Sequence, residues 1–222
     1  MKYTILGVII IILGGAFAAE KLLKSKVNPE EITNMQFFEP ITYISYVETG
    51  NNAVPNDSMS AIRTQFILKL IHEYRGQLHI TGTISLADTA IKQKVTDELE
   101  LTIRSATRYG NLYCMKPTPC IDSILQSRGK RFGLCTVSVG FTRKRGNYGI
   151  ENAKSRAKAF LRNGWDSEET IPLNSSLFII IFDAKEHDVA FFGQSYKPEH
   201  PLNEDLLRKR FVEVFHGYFN LK

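Results

Sequence analysis

The sequence predicts an α/β (α+β) fold, a mixed β-sheet packed by helices, behind an N-terminal hydrophobic signal or anchor helix. Three observations carry that expectation. Runs rich in β-branched and aromatic residues alternate with one-sided helical stripes. The stretch SLFIIIFDAKEHDVAFFGQS, residues 176–195, holds two apolar segments separated by one run of charges. Residues 3–19 carry no charge at all.

The chain opens MKYTILGVIIIILGGAFAAEKLLKSK, with Lys2 ahead of the uncharged run from Tyr3 to Ala19. Charge resumes at Glu20 and Lys21. The run falls just short of the roughly 20 residues that span a bilayer as a helix. It ends in Ala16-Phe17-Ala18, the small-x-small pattern of a signal-peptidase site. Residues 1–19 are therefore expected to be a signal peptide or a transmembrane anchor. No Cys directly follows to take a lipid. Either way the rest of the chain is expected to be exported, periplasmic, and soluble or anchored to the inner membrane by residues 3–19. Residues 20–36 are charged, carry Pro29 and read as a tether. Residues 37–222 read as a single exported α/β domain with an insertion around 142–175.

Within that domain, Pro40 precedes a strand over Ile41, Tyr43, Ile44, Tyr46 and Val47 that ends at Gly50. NNAVPND reads as a loop, and Asp57 or Ser58 is available to cap a helix. Met59, Ile62, Phe66, Ile67, Leu70, Ile71 and Tyr74 then form a helical stripe. HITGTISL alternates as a strand, with Ile80, Gly82, Ile84 and Leu86 on one side. A second helix opens at Asp88, with Ile91, Val95, Leu99, Ile103 and Ala106 inward, and stops near Gly110. IDSILQSRG reads as a short helix and LCTVSVGF as a buried strand. Ile150 to Leu161 reads as an amphipathic helix. Ser176–Phe182 and Val189–Tyr196 read as a hairpin whose charged residues, Asp183 to Asp188, form a solvated tip. A closing helix is capped by Asn203, with Leu206, Leu207, Phe211, Val214, Phe215 and Tyr218 inward.

Over 222 residues the apolar fraction of 43% and charged fraction of 23% are those of a globular protein. A net charge of +5 is mild and does not single out nucleic acid. Cys114 and Cys120 flank MKPTP and can close as a disulfide in an oxidising compartment, or stay free thiols. Cys135 sits inside an apolar strand. The five histidines, His72, His79, His187, His200 and His216, are scattered, without the spacing of a zinc site. Neither Cys135 nor Ser138 stands in a nucleophile elbow, and GFTRKRGNYG lacks the order of a phosphate loop. No catalytic residue, metal or cofactor is assigned, and the sequence leans away from an enzyme. Arg128, Lys130 and Arg131 precede the strand LCTVSVGF, and Arg143, Lys144 and Arg145 follow it. These six suggest a basic patch suited to an anionic lipid headgroup or a glycan rather than to nucleic acid.

The order of elements and the late hairpin, SLFIIIFDA followed by VAFFGQSY, resemble an exported α/β domain. That domain is found at the amino terminus of TolB, in curli-export CsgG and in periplasmic activators of cell-wall synthases. The hairpin carries D-A-x-x-x-D at its bend and Phe192-Gly193-Gln194 in its second strand. The resemblance implies a non-catalytic domain that docks envelope or membrane proteins, with self-assembly compatible with that role. The expected function is a subunit, accessory or scaffold of a membrane-associated assembly. Two alternatives stand beside it: a periplasmic hydrolase or thiol enzyme using Cys135 or a His, and anionic lipid or glycan binding through the basic residues.

Overall fold

The structure, a computed structural model, describes residues 21–24 (by their backbone), 27–112, 115, 117–147, 149–154 and 171–221. Among these, eight strands form one sheet. They are β1 (Lys21–Lys24), β2 (Met35–Phe38), β3 (Ile41–Val47), β4 (Ala53–Pro55), β5 (Ile80–Ile84), β6 (Phe132–Arg143), β7 (Leu173–Asp183) and β8 (Asp188–Lys197). Four helices with both ends described pack on it: α1 (Asp57–Glu73), α2 (Thr89–Tyr109), α3 (Pro119–Ser127) and α4 (Glu204–Phe215). This is the mixed sheet packed by helices that the sequence predicts.

The sheet runs β1-β8-β7-β6-β2-β5, with β3 also on β6 and β4 on β3. The long β6 serves two parallel partners in succession. Gln36 and Phe37 of β2 lie beside Gly133 and Leu134, and Ile41–Val47 of β3 lie beside Val137–Arg143. Pro40 falls between β2 and β3, where the missing N–H and fixed φ suit a bend rather than continued pairing. On its other side β6 pairs antiparallel with β7, which pairs antiparallel with β8.

The central strands are covered on both faces, which is why β7 reads as an unbroken apolar run rather than as an alternation. Leu177, Ile179 and Ile181 point to the face covered by α1 and α4, where they meet Ile67, Leu70, Leu207, Phe211 and Phe215. Phe178, Ile180 and Phe182 point to the face covered by α2 and α3, where they meet Val95, Leu99, Ile121 and Leu125. Asn56, Asp88 and Asn203 cap α1, α2 and α4 through side-chain acceptors, at Met59 N, at Ala90 and Ile91 N, and at Leu206 N. Gly193 of β8 is a packing glycine: a β-carbon there would stand 2.3 Å from Val214 Cγ1 of α4.

The structure departs from the sequence reading in several places. Of the expected tether, residues 20–36, the described parts 21–24 and 27–36 join the domain. β1 pairs antiparallel with β8, Pro29–Glu31 form a 3-10 turn, and Ile32 and Met35 are buried in the core. Apolar residues spaced among charges were enough to dock this segment. The expected loop NNAVPND contributes β4, an edge strand on β3 that Pro55 ends. Ile62, Ile91 and Leu206, expected inward, are 43%, 40% and 38% exposed. On α1 the buried position next to Ile62 holds Arg63, and on α4 the buried position one turn after Leu206 holds Arg210. The sheet's far edge at β5 is closed by Arg75, which donates from Nε to Ile80 O at 2.9 Å and from Nη2 to Thr81 O at 3.0 Å.

Among the described residues no helix is long and apolar enough to cross a membrane. The run expected to be a signal or anchor, residues 1–19, lies outside them, as do residues 155–161 of the expected amphipathic helix.

Candidate functional site

Polar and apolar halves divide the sheet face under α1 and α4. One half is lined by Phe132, Leu134, Ile179, Ile181 and Phe191. In the other, Ser138 of β6 and Ser195 of β8 flank Leu177 in one cross-strand row, and Ser175 stands in the next row on the same face. Into this polar half α1 sends Arg63 and α4 sends Arg210. Both are buried, at 0% and 2% exposure, in a class of residue that is almost never fully buried without a charged partner.

Arg63 donates from Nε to Ser138 Oγ at 3.0 Å, from Nη1 to Pro201 O at 2.8 Å and from Nη2 to Ser175 Oγ at 3.1 Å. Arg210 donates from Nε to Ser195 Oγ at 3.0 Å, from Nη1 to Ser175 Oγ at 3.0 Å and to Glu199 Oε1, and from Nη2 to Ser175 O and Ser195 O at 2.9 and 2.7 Å. One hydroxyl, that of Ser175, thus joins two guanidinium groups. Glu199 is the carboxylate of the cluster, and it is paired to Arg210. Burial, then the charge of Arg210, pull the Arg63 pKa down to about 9, which leaves it protonated at neutral pH.

The cluster is closed by residues 198–202, the strap between β8 and α4. The carbonyl of Pro201 accepts from Arg63. The ring of Pro201 lies over Gly140 of β6, where a β-carbon would come within 3.1 Å of Pro201 Cβ and 2.7 Å of Asn174 O.

The hairpin tip forms a second constellation: Lys185 to Asp188 are exposed, as the sequence suggests, but Asp183 and Ala184 at the end of the first strand are buried. Asp183 is 1% exposed. Its carboxylate accepts from Arg131 Nε at 2.9 Å and Nη2 at 2.6 Å and from Lys185 N at 3.0 Å. Ala184 donates its N–H to Arg131 O at 2.8 Å, and Gln126 Nε2 of α3 donates to Ala184 O at 3.1 Å. His187, at φ +53°, lies with Nδ1 2.9 Å from Asp122 Oδ2. Glu98 of α2 reaches the first turn of α3, where it accepts from Cys120 N at 2.7 Å and Ile121 N at 3.0 Å. Burial raises the Glu98 pKa against the pull of those two bonds. Asp183 and His187 therefore clamp the hairpin to the entry of β6 and to α3, while Lys185, Glu186 and Asp188 face solvent.

The remaining predicted positions are spread widely. Arg128, Lys130 and Arg131 stand before β6, and Arg143, Lys144 and Arg145 stand at and after its far end. At about 3.3 Å per residue the strand sets the two triads roughly 40 Å apart, so they do not share one surface. Arg131 is bound to Asp183, and Arg143 donates from Nε to Ile171 O at 2.7 Å while lying over the Phe141 ring. Cys135 is buried in the apolar cluster under α2 and α3, and burial pushes its thiol well above the ordinary range. That environment disfavours the thiolate a nucleophile needs. Ser138 Oγ is occupied by Arg63 and donates to Ser176 O at 3.1 Å. Cys120 is half-buried, and its expected partner Cys114 lies outside the described residues. No group of three or more His, Cys, Asp or Glu among the described residues is placed to hold a metal ion.

Reading the sequence by hydrophobic periodicity passed over the arginine pair, yet a signal was there. Arg63 falls on the same stripe as Ile67, Leu70 and Ile71, and Arg210 lies between Leu207 and Val214. A cation inside an apolar stripe, in a protein whose central strands carry serines at one end, marks a buried polar centre.

No protein-family model matches the chain. No curated protein matches it either. Among solved structures it is similar to the PelC dodecamer from Paraburkholderia phytofirmans, with 5% identity, 89% of this chain and 94% of that chain covered, and a TM-score of 0.41. It is similar to the LpoB C-terminal domain from Salmonella enterica, with 8% identity, 79% and 88% covered, and a TM-score of 0.31. A DUF4136 family protein from Bacteroides thetaiotaomicron shows 7% identity, 88% and 92% covered, and a TM-score of 0.32. None of the three is a TolB or CsgG domain. Likenesses at these scores carry no argument about function.

Proposed function

We propose that this chain is an exported, non-enzymatic α/β domain that serves as a subunit or accessory of a membrane-associated envelope assembly. The observation that carries the reading is the uncharged run from Tyr3 to Ala19, followed almost at once by β1 at Lys21. A chain that leaves a membrane segment and enters the sheet within two residues has little free linker. If the run is retained, the β1 edge of the sheet is held within about 10 Å of the bilayer surface, at roughly 3.3 Å per residue. That geometry suits a domain that works against other membrane-bound proteins.

Two further points support it. The groups a hydrolase or thiol enzyme would draw on are engaged elsewhere: Cys135 by burial, Ser138 by Arg63, and Asp183 by Arg131. The hairpin's resemblance to the TolB amino-terminal and CsgG type of domain implies docking rather than catalysis.

The test is the intact mass of the protein recovered from envelope fractions, without reduction, followed by identification of what copurifies. A full-length mass in the membrane fraction with stoichiometric partners is the expected result. A chain beginning at Ala19, recovered soluble and alone, overturns the anchored-subunit reading. The same spectrum tests the proposed Cys114–Cys120 disulfide, which lowers the mass by the two hydrogens lost on oxidation.

A further inference from the structure

The arginine pair has more positive charge than its surroundings neutralise. Arg63 and Arg210 bring two cations and Glu199 one carboxylate; the other acceptors are hydroxyls and carbonyls. Arg63 has five N–H donors, and the three it uses all go to neutral oxygens. Guanidinium forks match the oxygens of phosphate and carboxylate, and they gain most where water is excluded. Two such forks share the Ser175 hydroxyl, the Ser195 hydroxyl lies beside them, and Ser138, whose own proton goes to Ser176 O, holds Arg63 in place; together they have the donor composition of an oxyanion site.

What fills that site now is the strap. Residues 198–202 contain two prolines, and so lack two of their N–H donors. Their backbone bonds close local turns: Glu199 N to Lys197 O, and Asn203 N to His200 O. Two polar contacts tie the strap to the sheet and helices below, Pro201 O with Arg63 and Glu199 with Arg210. Both go to the arginines. A segment held by so few bonds opens at far less cost than a paired strand.

We propose that Arg63 and Arg210, with Ser138, Ser175 and Ser195, form a site for a tetrahedral oxyanion of the phosphate class, and that Glu199 is its internal stand-in. In the closed state the cluster carries a net charge of plus one. A phosphate dianion that displaces Glu199 brings the two arginines to neutrality and returns the Glu199 carboxylate to water. The same chemistry is offered by free phosphate and by the phosphomonoester headgroup of a lipid. This site is independent of the proposed docking role and uses none of the six basic residues that flank β6.

The test uses the full chain in neutral detergent, with thermal unfolding followed against inorganic phosphate and against chloride at matched ionic strength. Glu199→Gln removes the competing carboxylate and keeps its shape. It is expected to lower the half-saturating phosphate concentration by about tenfold or more, the scale of one charge-assisted hydrogen bond. Arg63→Gln is expected to abolish the phosphate-specific rise in Tm, and Arg145→Ala to leave it unchanged. Mixed micelles with and without phosphatidic acid separate the sources. A Tm rise with phosphatidic acid at concentrations where free phosphate has no effect assigns the lipid, and saturation by free phosphate alone assigns the small ion. Where Arg63→Gln does not fold, Glu199→Gln decides. Equal Tm in phosphate, phosphatidic acid and chloride for that variant overturns the proposal, as does full retention of the phosphate effect in a folded Arg63→Gln.

Discussion

Replacing Asp183 with Asn keeps the shape of the hairpin tip and removes its charge. The carboxylate takes two bonds from Arg131, at 2.9 and 2.6 Å, and one from Lys185 N at 3.0 Å. Hydrogen bonds to charged groups contribute roughly 1.5–3 kcal/mol each, and breaking a buried pair by removing one partner costs about 3–5 kcal/mol. Here Asp183 is 1% exposed but Arg131 is 33% exposed, so water recovers part of what the guanidinium loses. The expected loss is about 2–4 kcal/mol. With a urea m-value of about 2 kcal/mol/M, the midpoint falls by about 1–2 M. Urea unfolding followed by far-UV circular dichroism measures this directly. The double variant with Arg131→Met should show a coupling energy above about 1 kcal/mol, because the two side chains act as one unit. The exposed pair Lys69–Glu204 is the internal control. Lys69→Ala should cost less than about 0.5 kcal/mol. If Asp183→Asn unfolds within that same margin of the unmodified chain, or if the two substitutions simply add, the clamp reading of the tip is wrong.

Two other expectations follow from packing. Gly193→Ala places a β-carbon 2.3 Å from Val214 Cγ1, so it should destabilise by about 1–3 kcal/mol, with Val214→Ala in the same chain restoring part of the loss. Additive losses in chemical denaturation count against the packing role given to this glycine. Cys135, buried among apolar side chains with its thiol pushed up, should resist alkylation at pH 8 until the protein is unfolded. Rapid labelling of the folded protein, read by peptide mass, reopens the thiol-enzyme alternative.

The local elements of this protein are largely written in its sequence. β7 and β8 show as two apolar runs because both faces of the central strands are covered, and their joining turn needs polar residues. The caps at Asp88 and Asn203 were legible because a side-chain acceptor ahead of an amphipathic stretch acts within its own first turn. Cys135 was placed correctly as a core residue for the same reason: its neighbours in sequence share its strand.

What depends on distant partners was not legible. Asp183 reads as a solvated turn residue until Arg131, 52 positions away, is brought beside it. The six basic residues look like one patch on paper, and β6 separates them because a strand is the most extended form a chain adopts. Residues 20–36 look like free chain because charge dominates their composition, yet Ile32 and Met35 are buried in the core while Glu31, Thr33 and Asn34 around them stay exposed. The arginine pair is a mixed case. Each of Arg63 and Arg210 marks itself as a cation in an apolar stripe, but nothing local joins the two, and only the tertiary fold sets α1 and α4 over the serine end of the sheet. There the fold turns two residues of an ordinarily surface-exposed type into a buried charged centre, whose hydrogen bonds gain strength from the low dielectric.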